Sequence, residues 1–558
     1  MRKLVAAAVA TLAVAALTVS PTFAERPAAS SAAPKLALAS QLPRTRGASR
    51  APLGWVPLHA DGLARAKAAA NARAGLGGGN RPRGGGGGGG GPTVFSVPNV
   101  APSFNGASQA GLTPPDTTGT IGPDRYIETI NTAFAIYNRS GTKLGSGSLS
   151  ALTGVPGGLF GYNLSDPQMM WDAQTGRFYY SAVFYDSYLL TNGLAVGWSK
   201  TATPSSSSDW CQYEIETPDP NSLFDFLPDY PKLGDSKDFL IYGFNKFADA
   251  ASTYVDSEFL ALNKPPAGTT CADPSLFTVT ESGALHNANG TLAATPVPAR
   301  LVDDSTGTGY VVADADLTDT ALYPPGTGAG FVTLYRVTTS GTPNVATVSG
   351  PSSVAVPTYG MPASAPQAGS SFLLDTLDGR FEAAVAAFDP GRGTVGVWSA
   401  HAVASADGKT VEERWYELSP GSASPLDSGV VTDPSLFIWN GAISPDRSNT
   451  TGTTTGGSWA LSVSTSSPTT YPAIRIKWKK AGGTQSALTN IVQSNGPLVD
   501  FSCSSTTPCR YGDYSGASPD PAATGATGNV WLANQYNLAS GSTSGVNWRT
   551  WILAVTPN

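Results

Sequence analysis

Seven turn-and-strand units recur along residues 93–558 of this chain, and they limit its possible folds more than any other feature. Each unit has a turn built on Asp, Gly or Pro, followed by a run of β-branched and aromatic residues that is typical of a strand. The runs are anchored at Tyr126, Phe178, Phe239, Tyr310, Phe381, Trp459 and Val530. Almost no stretch after residue 93 has helical periodicity. The pattern predicts an all-β, seven-bladed β-propeller of four-stranded antiparallel blades, with an array of two-sheet sandwiches as the alternative.

The two ends of the propeller are predicted to share one blade. The last unit supplies only three strands, around residues 510–518, 529–537 and 547–555. The alternating run from Thr93 to Val97 is the candidate for the fourth strand. Its pairing with the C-terminal strands would leave no open sheet edge.

Composition divides the chain into three parts. Residues 1–24 have a basic start, an apolar Ala-rich run and small residues before Ala24, the pattern of a secretory signal peptide. Residues 25–92 carry ten Lys and Arg against two acids and end in the glycine run 84–91, so we expect a disordered basic arm and linker in which residues 61–74 could form a helix. Residues 93–558 form the propeller domain.

Charge restricts the partners of that domain, which carries 22 basic and 38 acidic residues. An acidic body repels phosphate backbones, so nucleic acid is not expected as a partner. After the signal peptide no apolar stretch approaches the roughly 20 residues of a membrane helix. We therefore expect a secreted, extracellular monomer with no integral membrane segment. The basic arm could contact anionic cell-wall polymers, although a solvated spacer or pro-segment is the favoured interpretation.

Four cysteines in an exported chain predict two disulfides. Cys503 and Cys509 could close a small loop, which would leave Cys211 and Cys271 as partners. A zinc site is the alternative, but the spacing lacks a CxxC pair and no histidine lies near either pair.

Several motifs add a family resemblance. The stretches PPDTTGTIGPDRYIETINTAFAIYNRSG (114–141), LPDYPKLG (227–234) and RYGDYSGASPDP (510–521), with WRTWI (548–552), resemble a group of secreted bacterial β-propeller proteins of sialidase-like and kelch-like type. The resemblance implies the propeller fold and export, and it implies no activity. The long basic arm is a departure from that group.

The sequence contains none of the common catalytic signatures. It has no GxSxG, HExxH, P-loop or dinucleotide fingerprint, and the stretch 405–410 is one residue short of a sialidase box. His59 in the arm, His286 in an Asn-rich loop and His401 on an alternating strand are predicted to be ordinary surface or half-buried residues. The acidic run from Asp314 to Asp319 could bind Ca²⁺, but it lacks the glycine turn and the terminal Glu of a calcium loop.

The central channel is the predicted ligand site, because innermost strands line the axis of a propeller. The predicted inner strands begin with Asp116, Asp166, Asp229, Arg300, Asp375, Asn440 and Asp513. Five carboxylates near one axis repel one another. Either they accept hydrogen bonds from backbone N–H groups, which is the favoured interpretation, or a cation lies among them. That cation would be Ca²⁺ or the ammonium group of an amino sugar, and no other cofactor is predicted.

Two classes of function remain open. Because no catalytic constellation is visible, the main prediction is an exported propeller that binds glycans or a cell-surface or extracellular partner. The alternative is an extracellular polysaccharide hydrolase or lyase on the same scaffold. A hydrolase would need two carboxyl groups about 5–10 Å apart. A lyase would need a base such as His286 or His401 beside a Tyr and an Arg.

Overall fold

The structure of the protein is a computed structural model. It describes residues 34–42, 56–76 and 91–558, the last range with gaps at 109–110, 158–160, 187, 189, 223–224, 250–252, 267, 303–306, 342–343, 420, 448–456, 524–527 and 540–541. The predicted signal peptide, 1–24, lies outside the described residues. Within the described part of the chain, no helix is long and apolar enough to cross a membrane.

Seven antiparallel sheets with four strands each build the ring, which confirms the predicted seven-bladed propeller and the fold implied by the family resemblance. From the innermost strand outwards, blade 1 contains Thr118–Ile121, Arg125–Ile130, Ala133–Asn138 and Lys143–Ser148; blade 2 Asn163–Asp172, Arg177–Tyr185, Asn192–Ser199 and Trp210–Glu216; blade 3 Leu227–Asp235, Phe239–Ala248, Thr253–Asn263 and Val279–Glu281; blade 4 Ala293–Pro298, Gly309–Ala315, Gly328–Ser340 and Val345–Gly360. Blade 5 contains Phe381–Asp389, Thr394–Ala404, Val411–Leu418 and Asp427–Val431; blade 6 Phe437–Pro445, Trp459–Ser467, Thr470–Lys479 and Thr489–Gln493; blade 7 Gly516–Pro519, Val530–Asn537, Trp548–Val555 and Val100–Asn105. The described helices are α1 (Ala60–Arg73), α2 (Leu149–Thr153) and the 3₁₀ turns Ala39–Gln41, Ser207–Asp209 and Pro274–Leu276.

A bulge near the start of the inner strand recurs from blade to blade. The pairing of inner and second strands skips two residues in blades 2 to 6, at residues 166–167, 230–231, 295–296, 382–383 and 440–441. The backbone is left-handed at Asp116, Asp166, Tyr230, Thr295, Asn440 and Asp513, with φ between 45° and 69°. Asp and Asn tolerate this region better than other non-glycine residues, which explains their recurrence in the sequence. Such bulges turn side chains out of the regular alternation.

Asparagine side chains fix the bulges across blade boundaries. The Asn131 Oδ1 of blade 1 accepts the N–H of Asp166 in blade 2 at 3.0 Å. In the same way, Asn245 of blade 3 accepts the N–H of Thr295 in blade 4 at 3.0 Å. Asn534 of blade 7 donates to the carbonyl of Asn440 in blade 6 at 3.1 Å. These buried bonds satisfy backbone groups that the bulge removes from the ladder.

Two predicted inner-strand starts are wrong. Arg300 follows the inner strand of blade 4, and its short strand Arg300–Leu301 pairs in parallel with Val385 of blade 5. In blade 5 the run anchored at Phe381 is the inner strand and not the second strand, so Asp375 lies six residues before it. The error at Asp375 arises because an irregular connection, residues 361–380, follows the outer strand of blade 4. It takes up the length of an inner strand, so spacing alone counted the run at Phe381 as the second strand of blade 5.

The ring is closed by Val100–Asn105 rather than by the predicted 93–97. This strand pairs with Trp548–Val555, and the Trp551 Nε1 donates to the Ser103 Oγ at 2.8 Å. Phe104 also packs on Tyr137 of blade 1, with ring centroids 5.4 Å apart. Thr93–Val94 instead extends the outer edge of blade 6. The prediction that the chain ends share one blade is confirmed, with the pairing shifted along the sequence.

Parts of the predicted disordered arm are ordered on the propeller. The strand Leu36–Leu38 adds to the outer edge of blade 2, and α1 packs on the connections of blades 4 and 5. Leu36, Leu58 and Ala66 are buried. Overall composition concealed these pieces because their apolar residues are spread among Arg and Gly. The domain boundary at residue 93 stays a prediction.

Both predicted disulfides are confirmed. Cys211 is bonded to Cys271, and Cys503 is bonded to Cys509. The first joins the outer strand of blade 2 to the chain of blade 3, and the second closes the loop that precedes the inner strand of blade 7.

Ring closure predicts how N-terminal truncations change stability. Chains that begin at residues 93 and 99 should melt at similar temperatures, because they differ by one short edge strand. A chain that begins at residue 107 should lose about 2–4 kcal/mol, because it exposes the edge of Trp548–Val555 and removes Phe104. Thermal unfolding followed by circular dichroism gives the melting temperature of each of the three chains. Equal melting temperatures for the chains that begin at 99 and 107 would contradict this closure.

Candidate functional site

The seven inner strands all start at one face of the ring, and we call the opening there the channel mouth. It is defined by the residues at or next to the bulges: Asp116, Asp166, Asp229, Tyr230, Thr295, Glu382, Asn440, Asp513 and Tyr514. Asp116, Asp166, Asp229 and Asp513 therefore lie where the sequence placed them. The side chain that blade 5 contributes is Glu382, in place of the predicted Asp375.

Arg300 lies away from this mouth. Its guanidinium donates to the carbonyl of Ala517 at 3.5 Å. Ala517 follows Asp513 by four residues along blade 7, a separation of roughly 13 Å in an extended chain. Arg300 thus belongs to the opposite half of the channel, where burial lowers its pKa to about 10.

Two tyrosines and a lysine fill the channel near its mouth. The rings of Tyr230 and Tyr514 stack with their centroids 4.7 Å apart. The Lys232 Nζ lies 3.8 Å from each of these centroids and has no hydrogen-bond partner among the described residues. Burial lowers the pKa of this lysine well below its usual range. The Arg380 guanidinium lies 4.6 Å from the Tyr230 ring on the side of blade 5.

The carboxyl groups of the mouth are held by side-chain donors. The Tyr514 hydroxyl donates to the Asp166 Oδ2 at 2.5 Å, and the Asn131 amide donates to the Asp116 Oδ2 at 2.5 Å. Arg510 forms an ion pair with Asp513. Side-chain donors and the cations of the chain itself thus compensate most of the mutual repulsion that the sequence analysis expected.

Burial and charge give these carboxyl groups different proton affinities. Burial and the neighbouring Asp166 raise the pKa of Asp229 to about 8, and burial raises the pKa of Glu382 to about 8 as well. Burial also raises the pKa of Asp513, but Arg510 limits the increase to about 6. The site therefore holds protonated and ionised carboxyl groups together at neutral pH, an arrangement that supports acid–base chemistry.

Two buried carboxyl groups, that of Asp229 at the mouth and that of Asp375 before blade 5, lie against the N-terminal segment. The Asp229 Oδ2 accepts the N–H of Val56 at 3.0 Å, and the Asp375 Oδ1 lies 4.0 Å from the Lys67 Nζ. Both partners belong to the N-terminal segment, which contacts the propeller from outside.

The three histidines are occupied elsewhere. His401 is buried against Phe381, with its ring nitrogens 2.7 Å from the Gly379 carbonyl and 3.1 Å from the Tyr416 hydroxyl. Burial lowers its pKa to about 3. The His286 Nδ1 lies 3.1 Å from a neighbouring carbonyl in a loop, and His59 pairs with an aspartate of blade 4.

The calcium prediction stays a prediction. Among the described residues, no three His, Cys, Asp or Glu side chains are grouped so that they could hold a metal ion. In the acidic run at the end of the second strand of blade 4, residues 314–319, Asp314 accepts the N–H of Phe381 at 3.0 Å, and Asp316 accepts the N–H of Thr318 at 2.8 Å.

The sequence analysis missed Tyr230, Lys232, Glu382, Arg510 and Tyr514 as site residues. Four of them lie within the motifs LPDYPKLG and RYGDYSGASPDP that it quoted for the family resemblance, and Glu382 follows the strand anchor Phe381. The signal that could have found them is the repeated Asp-Tyr pair of blades 3 and 7, because inner-strand aromatic residues from two blades meet at the axis.

Comparisons with known proteins give matches among solved structures only. No protein-family model and no curated protein matches the sequence. A mutant α-L-arabinofuranosidase of Fusarium graminearum in complex with an iminosugar inhibitor matches with a TM-score of 0.34 and 9% identity, over 69% of this chain and 91% of the other. An exo-β-1,3-galactanase of Clostridium thermocellum matches with a TM-score of 0.29 and 9% identity, over 79% and 95%. A Bacillus subtilis arabinanase matches with a TM-score of 0.26 and 11% identity, over 56% and 96%. None of this chain's residues is assigned a role from these matches.

The main functional prediction, a propeller that binds without a catalytic constellation, is wrong. The solved structures named above are an arabinofuranosidase, a galactanase and an arabinanase, which are glycoside hydrolases. That prediction depended on the apparent absence of catalytic groups, and the channel mouth contains protonated and ionised carboxyl groups from several blades. Sequence spacing concealed this group because its members are contributed one or two at a time by distant blades.

The raised pKa of Asp229 predicts the pH dependence of stability. Native Asp229 keeps its proton up to about pH 8, whereas the unfolded chain releases it near pH 4, so the contribution of this group falls as pH rises between these values. Asp229→Asn keeps a neutral side chain at every pH. The free energy of unfolding of the variant minus that of the unsubstituted protein should therefore rise from pH 5 to pH 8, by up to about 1.4 kcal/mol per pH unit. Melting temperatures measured across this pH range show the same trend. Asp124→Asn, at an exposed turn of blade 1, is the control. If the stability of Asp229→Asn and that of the unsubstituted protein change with pH in the same way, the raised pKa of Asp229 is contradicted.

Proposed function

We propose that this protein is an extracellular polysaccharide hydrolase whose active site is the channel mouth. The observation that carries the proposal is the pair formed by Asp229 and Asp375. Both contact the N-terminal segment, burial and Asp166 raise the pKa of Asp229 to about 8, and Asp375 lies in the positive field of Arg510. Glycoside hydrolysis uses such a pair, with one carboxylic acid and one carboxylate on either side of the scissile bond.

In this proposal Asp229 is the general acid. It donates its proton to the glycosidic oxygen as the bond to the anomeric carbon breaks, and the resulting carboxylate is stabilised by the charges of Arg380 and Arg510. Asp375 acts on the opposite side, either through a water molecule or by direct attack on the anomeric carbon. The negative potential of Asp166 and Asp513 favours the positive charge that develops on the sugar ring.

The charge of the domain points to a neutral polymer as substrate. A body with 38 acidic and 22 basic residues disfavours polyuronates and sulfated glycans on electrostatic grounds. The lyase alternative needs a histidine base in the site, and His286 and His401 are both held by other contacts. The signal-peptide pattern of residues 1–24 and the two disulfides support an extracellular location.

Release of reducing sugar from a panel of neutral polysaccharides and polyuronates tests the proposal. The panel is assayed with the full chain and with a chain that begins at residue 93. We expect activity on a neutral polymer, and a loss of about 10²–10⁴-fold in kcat for Asp229→Asn and for Asp375→Asn. Asp124→Asn should keep full activity. A polymer cleaved equally well by Asp229→Asn, or cleaved only as a uronate with an unsaturated product, would refute the assignment.

A further inference from the structure

The N-terminal segment 56–73 lies across the channel mouth. Its first residue, Val56, donates its N–H to Asp229, and its Lys67 Nζ lies 2.8 Å from the Thr376 Oγ1, next to Asp375. This segment therefore contacts the carboxyl groups of both Asp229 and Asp375. Asp229 and Asp375 come from different blades, so the segment spans the opening between them.

Helix α1 fits the rim closely. Ala66 and Ala70 are buried against the propeller, with exposed fractions of 3% and 8%. Gly62 lies so close to blade 4 that a Cβ there would come within 1.8 Å of the Thr318 carbonyl oxygen. Small residues on one face of the helix thus allow its backbone to approach the rim, and they bury little apolar area per residue.

Polar contacts continue along the same face of the segment. Asn71 accepts the N–H of Ser364 at 2.8 Å, and Arg65 donates to Thr320 at 2.8 Å. The His59 Nε2 lies 3.2 Å from the Asp316 carboxylate, which raises the pKa of this histidine. The arm as a whole carries ten basic residues, and the propeller is acidic, so charge favours the docked position.

We propose that segment 56–73 is an intramolecular inhibitor that occupies the place of the glycan and must leave before substrate binds. The nature of the excluded ligand rests on the proposed function. Displacement of the segment removes the Val56 N–H from Asp229 and the Lys67 ammonium from Asp375. Asp229 can then accept hydrogen bonds from sugar hydroxyls, and Asp375 keeps the bond that its Oδ1 accepts from the Leu377 N–H. The interface combines alanine contacts, hydrogen bonds and ion pairs with the apolar side chains of Leu58 and Leu63.

Displacement of the helix in the full chain tests this proposal. Ala66→Asp places a carboxylate in the buried face of α1, whereas Ala68→Asp places the same group on the exposed face as a matched control. Lys67→Glu is a second displacing variant, because it sets a carboxylate against Asp375. Circular dichroism confirms that each variant keeps the propeller.

The first measurement is independent of activity. Thr376→Cys introduces a thiol beneath Lys67, in a protein whose described cysteines are all in disulfides. Maleimide should label it about tenfold faster, or more, when combined with Ala66→Asp or Lys67→Glu than when alone or combined with Ala68→Asp. Equal labelling rates in all four proteins would overturn the inhibitor proposal.

The second measurement is hydrolysis of the neutral polysaccharide panel by the variants that keep Thr376. Release of the segment should raise the rate about tenfold or more in Ala66→Asp and Lys67→Glu, and Ala68→Asp should match the unsubstituted chain. Faster labelling without an increase in hydrolysis of a cleaved polymer would overturn the inhibitory role. Faster labelling with no hydrolysis of any polymer would support a displaceable cover and refute the proposed hydrolase.

Discussion

The inner-strand bulge is the constraint on which the rest of this structure depends. A regular strand would point alternate side chains into the neighbouring blades, whereas the bulge turns one side chain per blade toward the axis. The left-handed backbone at Asp166 and Asn440 is maintained because Asn131 and Asn534 bond the displaced backbone groups from the adjacent blades. Blade packing and channel chemistry are thus linked through the same few asparagines, and a loosened blade interface would also move the carboxyl groups.

Gathering acids at one axis has an electrostatic cost that the chain offsets in three ways. Arg510 pairs with Asp513, and the charge of Arg380 acts on Asp229 and Glu382. Side-chain donors bond further carboxyl oxygens. The remaining acids keep their protons, as the raised pKa of Asp229 indicates. Neutralisation by proton uptake is the usual response of a buried carboxyl group that lacks a full counter-charge.

The sequence predicted the repeated architecture better than it predicted the site. Turn residues and alternating runs identified the second strands of six blades, because those strands are regular and buried on both sides. Asp375 was misplaced because a strand start was assigned by spacing, and spacing fails where a connection such as 361–380 is long and irregular. Arg300 was misplaced because it follows the inner strand Ala293–Pro298 and does not begin it. Asp166 and Asp513 were found because Asp is favoured at left-handed positions, which is a local property of the chain.

Lys232, Glu382 and Tyr514 could not be found in this way. Their roles arise from contacts between blades that are more than 130 residues apart in sequence, and each is unremarkable within its own strand. The same holds for the arm. Its composition is that of a soluble polar segment, yet Leu36 and Ala66 occupy sites that only the assembled ring provides. Local composition reports whether a segment can form its own core, and it does not report whether another surface will complete one.

The basic arm compensates part of the negative charge at the channel mouth. With the segment in place, Lys67 adds a positive charge next to Asp375, and the Val56 N–H satisfies an oxygen of Asp229, so the closed state stabilises the cluster of acids. Without the segment the mouth keeps its negative potential and lacks those partners. Such a site stabilises a ligand that offers hydroxyl donors in its ground state and develops positive charge in its transition state. A sugar ring at the point of glycosidic cleavage has both properties.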